Sequence, residues 1–260
     1  MLGVVKTVDM DPATSAAVRD LFANGDTLRA RLDLVPSLAA RRSRAAEDLK
    51  TSPKTGRLVG VYARQAIAAT LDHLGAWKLL IDPGPLGLYS PWMLARAIIE
   101  GAGRALWHVE PEESHDRVAR AYAGRRKDQE ERRRFEAAEG PGPRFELPPG
   151  GKSPEERIKE IDKARRSECI DRVEYEDTTS VVRRHGWERS YRLASSFAHA
   201  LEWSMVAADL HPDPSIPTNP GTGVGIVTIN DARLLEIAET SVSAIGSAIL
   251  ALDEYTAPRR

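Results

Sequence analysis

Cysteine is almost missing from this sequence: Cys169 is the one thiol in 260 residues. That excludes an internal disulfide framework and a cysteine-rich zinc site, and it suits a reducing, cytoplasmic setting. Aromatic residues are scarce too, at 6%. Sheets draw on aromatic and β-branched residues, whereas helices draw on the Ala, Leu and Arg that are plentiful here. An excess of either charge is also lacking. The 37 basic and 38 acidic residues nearly cancel, so no overall field draws the chain to nucleic acid or to a membrane, and any phosphate recognition has to be local. No uninterrupted apolar run of about 18 residues is evident, which predicts no membrane span. Met1 to Lys6 opens no apolar stretch of roughly 7–15 residues, so no signal peptide is expected.

What is present reads as helix. The apolar fraction of 42% supports a core. Residues 1–11 are expected to be frayed or extended. Asp11 and Pro12 open a helix that runs to about Leu34, before Pro36. Residues 37–56 read as a surface helix or linker ending in Ser52-Pro53-Lys54-Thr55-Gly56. A helix over about 57–81 carries either Val61, Ala68, Leu71 and Leu74 or Ile67, Leu74 and Trp77 on its inner face. The sequence Asp82-Pro83-Gly84-Pro85 ends it. Ser90 and Pro91 start the next helix, to about Val109, apolar nearly all round. Arg96, Glu100, Arg104 and His108 recur along one side of it, as a ladder of intrahelical pairs or as the lining of a polar pocket.

From Ser114 to about Ala138 the pattern becomes a charged helix. Arg125, Arg126 and Lys127, then Arg132, Arg133 and Arg134 one heptad later, share a face that could track phosphates. The pairs Asp116–Arg120, Asp128–Arg132 and Glu130–Arg134 give the alternative, a solvated face that supports itself. Residues 139–152, rich in Pro and Gly, predict a flexible, protease-sensitive loop. Ser153, Pro154 and Glu156 form a capping box for a helix to about Tyr175. A short helix near 177–184 is separated by Gly186 from a helix over 187–209. His211 to Gly225 reads as irregular, residues 224–229 as extended, and Asn230 caps a last helix over 231–254.

The expected architecture is all-α and single-domain. An antiparallel helical bundle lies within 57–255, preceded by an N-terminal helical extension over 1–56. Residues 112–175 form a long charged helical hairpin insertion. Several motifs fail on context. Gly150-Gly151-Lys152-Ser153 lacks the earlier glycine and the preceding strand of a P-loop. Gly221-Thr222-Gly223-Val224-Gly225 lacks the Rossmann setting. Glu112 and His115 make one Glu-x-x-His pair where a di-iron bundle needs two. Neither a metal nor an organic cofactor is expected.

The stretch that gathers chemistry is Tyr191-Arg192-Leu193-Ala194-Ser195-Ser196-Phe197-Ala198-His199. Arg192 and His199, two helical turns apart, point the same way, with Ser195 and Ser196 between them. This spacing resembles the Arg-x(4–6)-His motif of HEPN-type proteins. The stretch also resembles a group of all-helical proteins from high-GC bacteria with a Tyr-Arg-x-x-Ser-x-x-x-His signature, a likeness extending loosely over about 58–255. Leu193 departs from the polar residue that usually follows the motif arginine. The HEPN-type resemblance implies a bundle that forms a homodimer and joins two motifs, with the activity of a metal-independent endoribonuclease or toxin acting on RNA and paired with an antitoxin-like protein. His199 and Arg192 would then be catalytic, supported by Ser195, Ser196, Glu100 and Arg96. The alternative is a non-catalytic helical interaction or regulatory protein in which Arg192 and His199 are structural.

Overall fold

The computed structural model describes residues 11–37, 39–81, 89–138, 151–199, 210–212, 225–227 and 230–259. The fold is all-α. Its helices are α1 (Pro12–Leu34), α2 (Arg44–Thr51), α3 (Gly56–Ile81), α4 (Ser90–Val109), α5 (Ser114–Ala138), α6 (Pro154–Ser167), α7 (Thr178–Arg184), α8 (Glu188–Ala198) and α9 (Asp231–Thr256). The only strands among the described residues are β1 (Leu210–Pro212) and β2 (Gly225–Val227). They pair antiparallel with His211 opposite Ile226. Extended chain was expected at 225–227, whereas its partner β1 falls where irregular chain was expected.

The helix starts follow the sequence. The Asp11 carboxylate accepts from the amides of Ala13 and Thr14, ahead of Pro12. The Ser153 hydroxyl accepts from the Glu156 amide, and the Glu156 carboxylate accepts from the Ser153 amide, closing the capping box. The Asn230 side chain accepts from the Arg233 amide. Two helix ends differ from expectation. α6 stops at Ser167 and not near Tyr175, because Cys169 takes a left-handed conformation, φ 54°. The described part of the 187–209 helix is α8, which ends at Ala198. Residues 200–209 and the expected loop core 139–150 lie outside the described residues.

The chain divides into two compact units. The first comprises Met1–Val35, Gln65–Ala105 and Thr178–Leu250; the second comprises Pro36–Arg64, Leu106–Asp177 and Ala251–Arg260. α3, α4 and α9 therefore contribute residues to both. In the first unit Phe22 meets Trp77 edge-on at 5.0 Å, and Ile67, Leu71 and Leu74 are buried with them. Ile67, Leu74 and Trp77 are the second of the two stripes expected on α3, and Leu71 is buried with them although it belongs to the first. Val61, from the first, is more than a third exposed. α9 is buried at Leu234, Ile237, Ala238, Ile245 and Ile249. It is long and apolar enough to cross a membrane by length and composition, contrary to the expectation that no segment of the chain would be. Much of that apolar surface is buried within the protein, as in the core helix of a globular fold.

In the second unit α5 packs against α2 and α6. Val118, Ala119, Tyr122, Ile161 and Ile170 form its apolar cluster. The first turns of α5 are thus core, and only the later turns form the expected charged face.

Candidate functional site

α8 is positioned by its inner face. Tyr191 and Trp187 pack with Ile99 and Val182, and Phe197 stacks on Trp92 at 4.2 Å. Burying these rings turns Arg192 and His199 outward, and both are exposed. Ser195 is half-buried between them. Ser196, expected on the same side, lies on the buried face, where its hydroxyl donates to the Leu193 carbonyl at 2.7 Å. His199 is the C-cap residue and not a mid-helix one: its own amide donates to the Ser195 carbonyl at 3.1 Å, and the helix ends there.

Arg192 is engaged. Its Nε donates to the Glu188 carboxylate at 2.8 Å, one turn back. Arg183 donates to the same carboxylate twice, at 2.7 and 2.8 Å. These two guanidinium groups hold the Glu188 carboxyl down at about 2, from an ordinary 4.5. An Arg183–Glu188–Arg192 chain thus lies on the surface of the unit.

Of the supporting residues from α4, Arg96 falls between Trp92 and Ile99 in register, on the α4 face that meets α8. Its Nε is buried without a hydrogen-bond partner among the described residues. Glu100 accepts from the Thr178 hydroxyl at 3.0 Å, and Arg104 donates to the same hydroxyl at 3.0 Å. α7 therefore joins the two residues expected to form a ladder within α4. Among the described residues no hydrogen bond or ion pair joins Arg96 or Glu100 to Arg192 or His199.

The basic triplets of α5 are largely matched by acids. Arg126 bonds Glu130 and Asp162, Lys127 bonds Glu131, Arg132 bonds Glu136, and Arg134 bonds Glu131. Arg133 approaches Glu155 at 3.9 Å. Arg125 donates to the Thr55 hydroxyl and lies 5.9 Å from the Tyr122 ring centroid. The partners are not the expected ones: Glu130 takes Arg126, and Arg134 goes to Glu131. A phosphate arriving here competes with carboxylates already in place, so this face is not an open cationic track.

Sequence reasoning missed a heavily bonded side chain. Arg117 is fully buried. It donates to both oxygens of buried Asp48 and to the carbonyls of Pro111, Glu112 and Arg44. The Tyr255 hydroxyl donates to Asp48 at 2.9 Å. Burial pushes the Asp48 carboxyl up from its ordinary value while the Arg117 bonds pull it down. Burial and the neighbouring carboxylate push the Tyr255 phenol well above its ordinary range. Each polar group of this cluster is committed to another, and its role is structural.

No group of three or more His, Cys, Asp or Glu side chains suited to a metal ion occurs among the described residues. Comparison of the chain with protein-family models, with curated proteins and with solved structures found no match.

Proposed function

We propose that the outer face of α8 is an RNA-cleaving site of the HEPN type, formed when two copies of the chain bring their α8 helices together. The observation that supports this reading is the joint exposure of Arg192 and His199 on one side of α8, opposite the face fixed by Tyr191 and Phe197. A histidine held there for packing would be buried and hydrogen-bonded; this one faces water.

The chemistry needs no metal. His199 takes the proton of a ribose 2′-hydroxyl, the 2′-oxygen attacks the adjacent phosphorus, and the bond to the 5′-oxygen breaks. His199 of the second copy gives that leaving oxygen a proton. The products are a 2′,3′-cyclic phosphate and a free 5′-hydroxyl. Arg192 holds the non-bridging oxygens and offsets charge developing on them. It must first exchange Glu188 for phosphate, a small cost for an exposed pair one turn apart.

The test is incubation of the purified protein with mixed RNA in EDTA. We expect cleavage with cyclic-phosphate ends, and a solution mass twice the 28.6 kDa of one chain. His199→Ala abolishes cleavage without shifting the melting temperature, because its side chain is exposed; Arg192→Ala abolishes it too, with only the small loss of stability that removing an exposed ion pair to Glu188 brings. Glu188→Gln, which frees Arg192, tightens RNA binding. A monomer that leaves RNA intact refutes the reading. It would favour a non-catalytic interaction protein, for which the Arg183–Glu188–Arg192 chain is simply a surface ion-pair network.

A further inference from the structure

The second unit contains a cavity of about 230 Å³ between α2, the start of α3 and the end of α9. Its walls are apolar: Ala45, Leu49, Val61, Leu252 and the Tyr255 ring. Its depth comes from a missing side chain. Gly60 lies on the α3 wall, and a Cβ there would sit 3.3 Å from Tyr255 Cε1. Leu49 and Val61 are each more than a third exposed, so the cavity leaves apolar surface facing water.

The charged residues lining it are Arg57 and Arg64, and no acid lines it. The two arginines are seven residues apart on α3, so they stand about 10 Å apart along the same side of the helix. Arg64 donates to the Pro36 carbonyl. Arg57 is exposed and makes no ion pair among the described residues, although most other arginines of this unit have a carboxylate or carbonyl partner. The Asp48 carboxylate, which accepts from the hydroxyl of the lining Tyr255, is fully buried and already holds Arg117. An apolar chamber with an uncompensated cation at its edge selects an anion with an apolar tail. The volume equals roughly eight waters at about 30 Å³ each, which limits that tail to a medium-length chain or a single ring.

We propose that this cavity binds a small amphiphilic carboxylate. The tail packs on Gly60, Leu252 and the Tyr255 ring, and the carboxylate pairs with Arg57. The site lies wholly within the second unit and does not depend on the RNA reading of α8.

Titration calorimetry of the full chain with octanoate tests it, with octanamide and octylammonium as neutral and cationic probes of the same length. We expect saturable one-to-one binding of octanoate, about tenfold weaker binding of octanamide, and none of octylammonium. Arg57→Gln, at an exposed position, should weaken octanoate about tenfold and leave octanamide unchanged. Gly60→Leu fills the chamber and should abolish binding of both. Absence of saturable octanoate binding overturns the proposal. So does equal binding of octanoate and octanamide, or unchanged binding in Arg57→Gln. A Gly60→Leu protein that still melts cooperatively and still binds octanoate overturns the placement, and with it the proposal. If Gly60→Leu does not fold, Arg57→Gln and the octanamide comparison decide alone.

Discussion

Arg117 is heavily hydrogen-bonded, and none of its partners is replaceable by water, because the guanidinium is fully buried. Removing it strands the Asp48 carboxylate in a dry site. We expect Arg117→Ala to cost about 3–5 kcal/mol in urea denaturation, since an unpaired buried charge is far more costly than a missing contact. Replacing Asp48 and Arg117 together by leucine and methionine should recover part of that loss, because both charges then leave at once. Glu188 behaves differently. Its ionised form is favoured in the folded state, with the carboxyl held at about 2 against an ordinary 4.5. Its contribution to stability is therefore present above pH 4.5 and is lost as pH falls through about 2. A carboxyl NMR titration should place the Glu188 midpoint near 2, and Arg183→Gln combined with Arg192→Gln should move it back toward 4.5.

Two helix ends show how local chemistry was readable in one case and hidden in another. α7 ends in a Schellman motif: the Gly186 amide donates to the Arg183 carbonyl and the Trp187 amide to the Val182 carbonyl. Gly186 supplies the positive φ, 74°, and Trp187 packs against Val182. The glycine announced this boundary. α6 ends in the same way, with the Cys169 amide donating to the Arg166 carbonyl and the Ile170 amide to Arg165. Here a cysteine occupies the left-handed position, so nothing in the local sequence marked the stop. The motif is held by tertiary packing of Ile170 on Tyr122, Val118 and Ile161. Cys169 is exposed and its side chain packs no core. We therefore expect Cys169→Gly to stabilise the protein by about 0.5–1 kcal/mol in thermal or urea unfolding, the relief of left-handed strain exceeding the added freedom of the unfolded chain.

At the scale of the molecule, periodicity and caps made the helices legible, because those signals lie within a few residues of one another. The candidate site on α8 was half legible. The seven-residue spacing placed Arg192 and His199 on one side, but the inward face that takes Ser196 is set by Phe197 on Trp92 and Tyr191 with Ile99, about a hundred residues earlier, and no local signal marked the helix end at Ala198. Neither the buried ion pair nor the cavity was legible. Asp48 meets Arg117 across 69 positions and Tyr255 across 207, and no local pattern encodes such a meeting.

That separation also governs the order of events during folding. The Arg117 guanidinium can shed its water only when α2, the turn before α5 and the last turns of α9 have all arrived, because each supplies an acceptor or closes the site. Closing loops of that length is entropically slow, and a partly assembled ring would expose a dehydrated charge. We therefore expect α2 to gain protection from hydrogen exchange only together with the C-terminal turn that carries Tyr255.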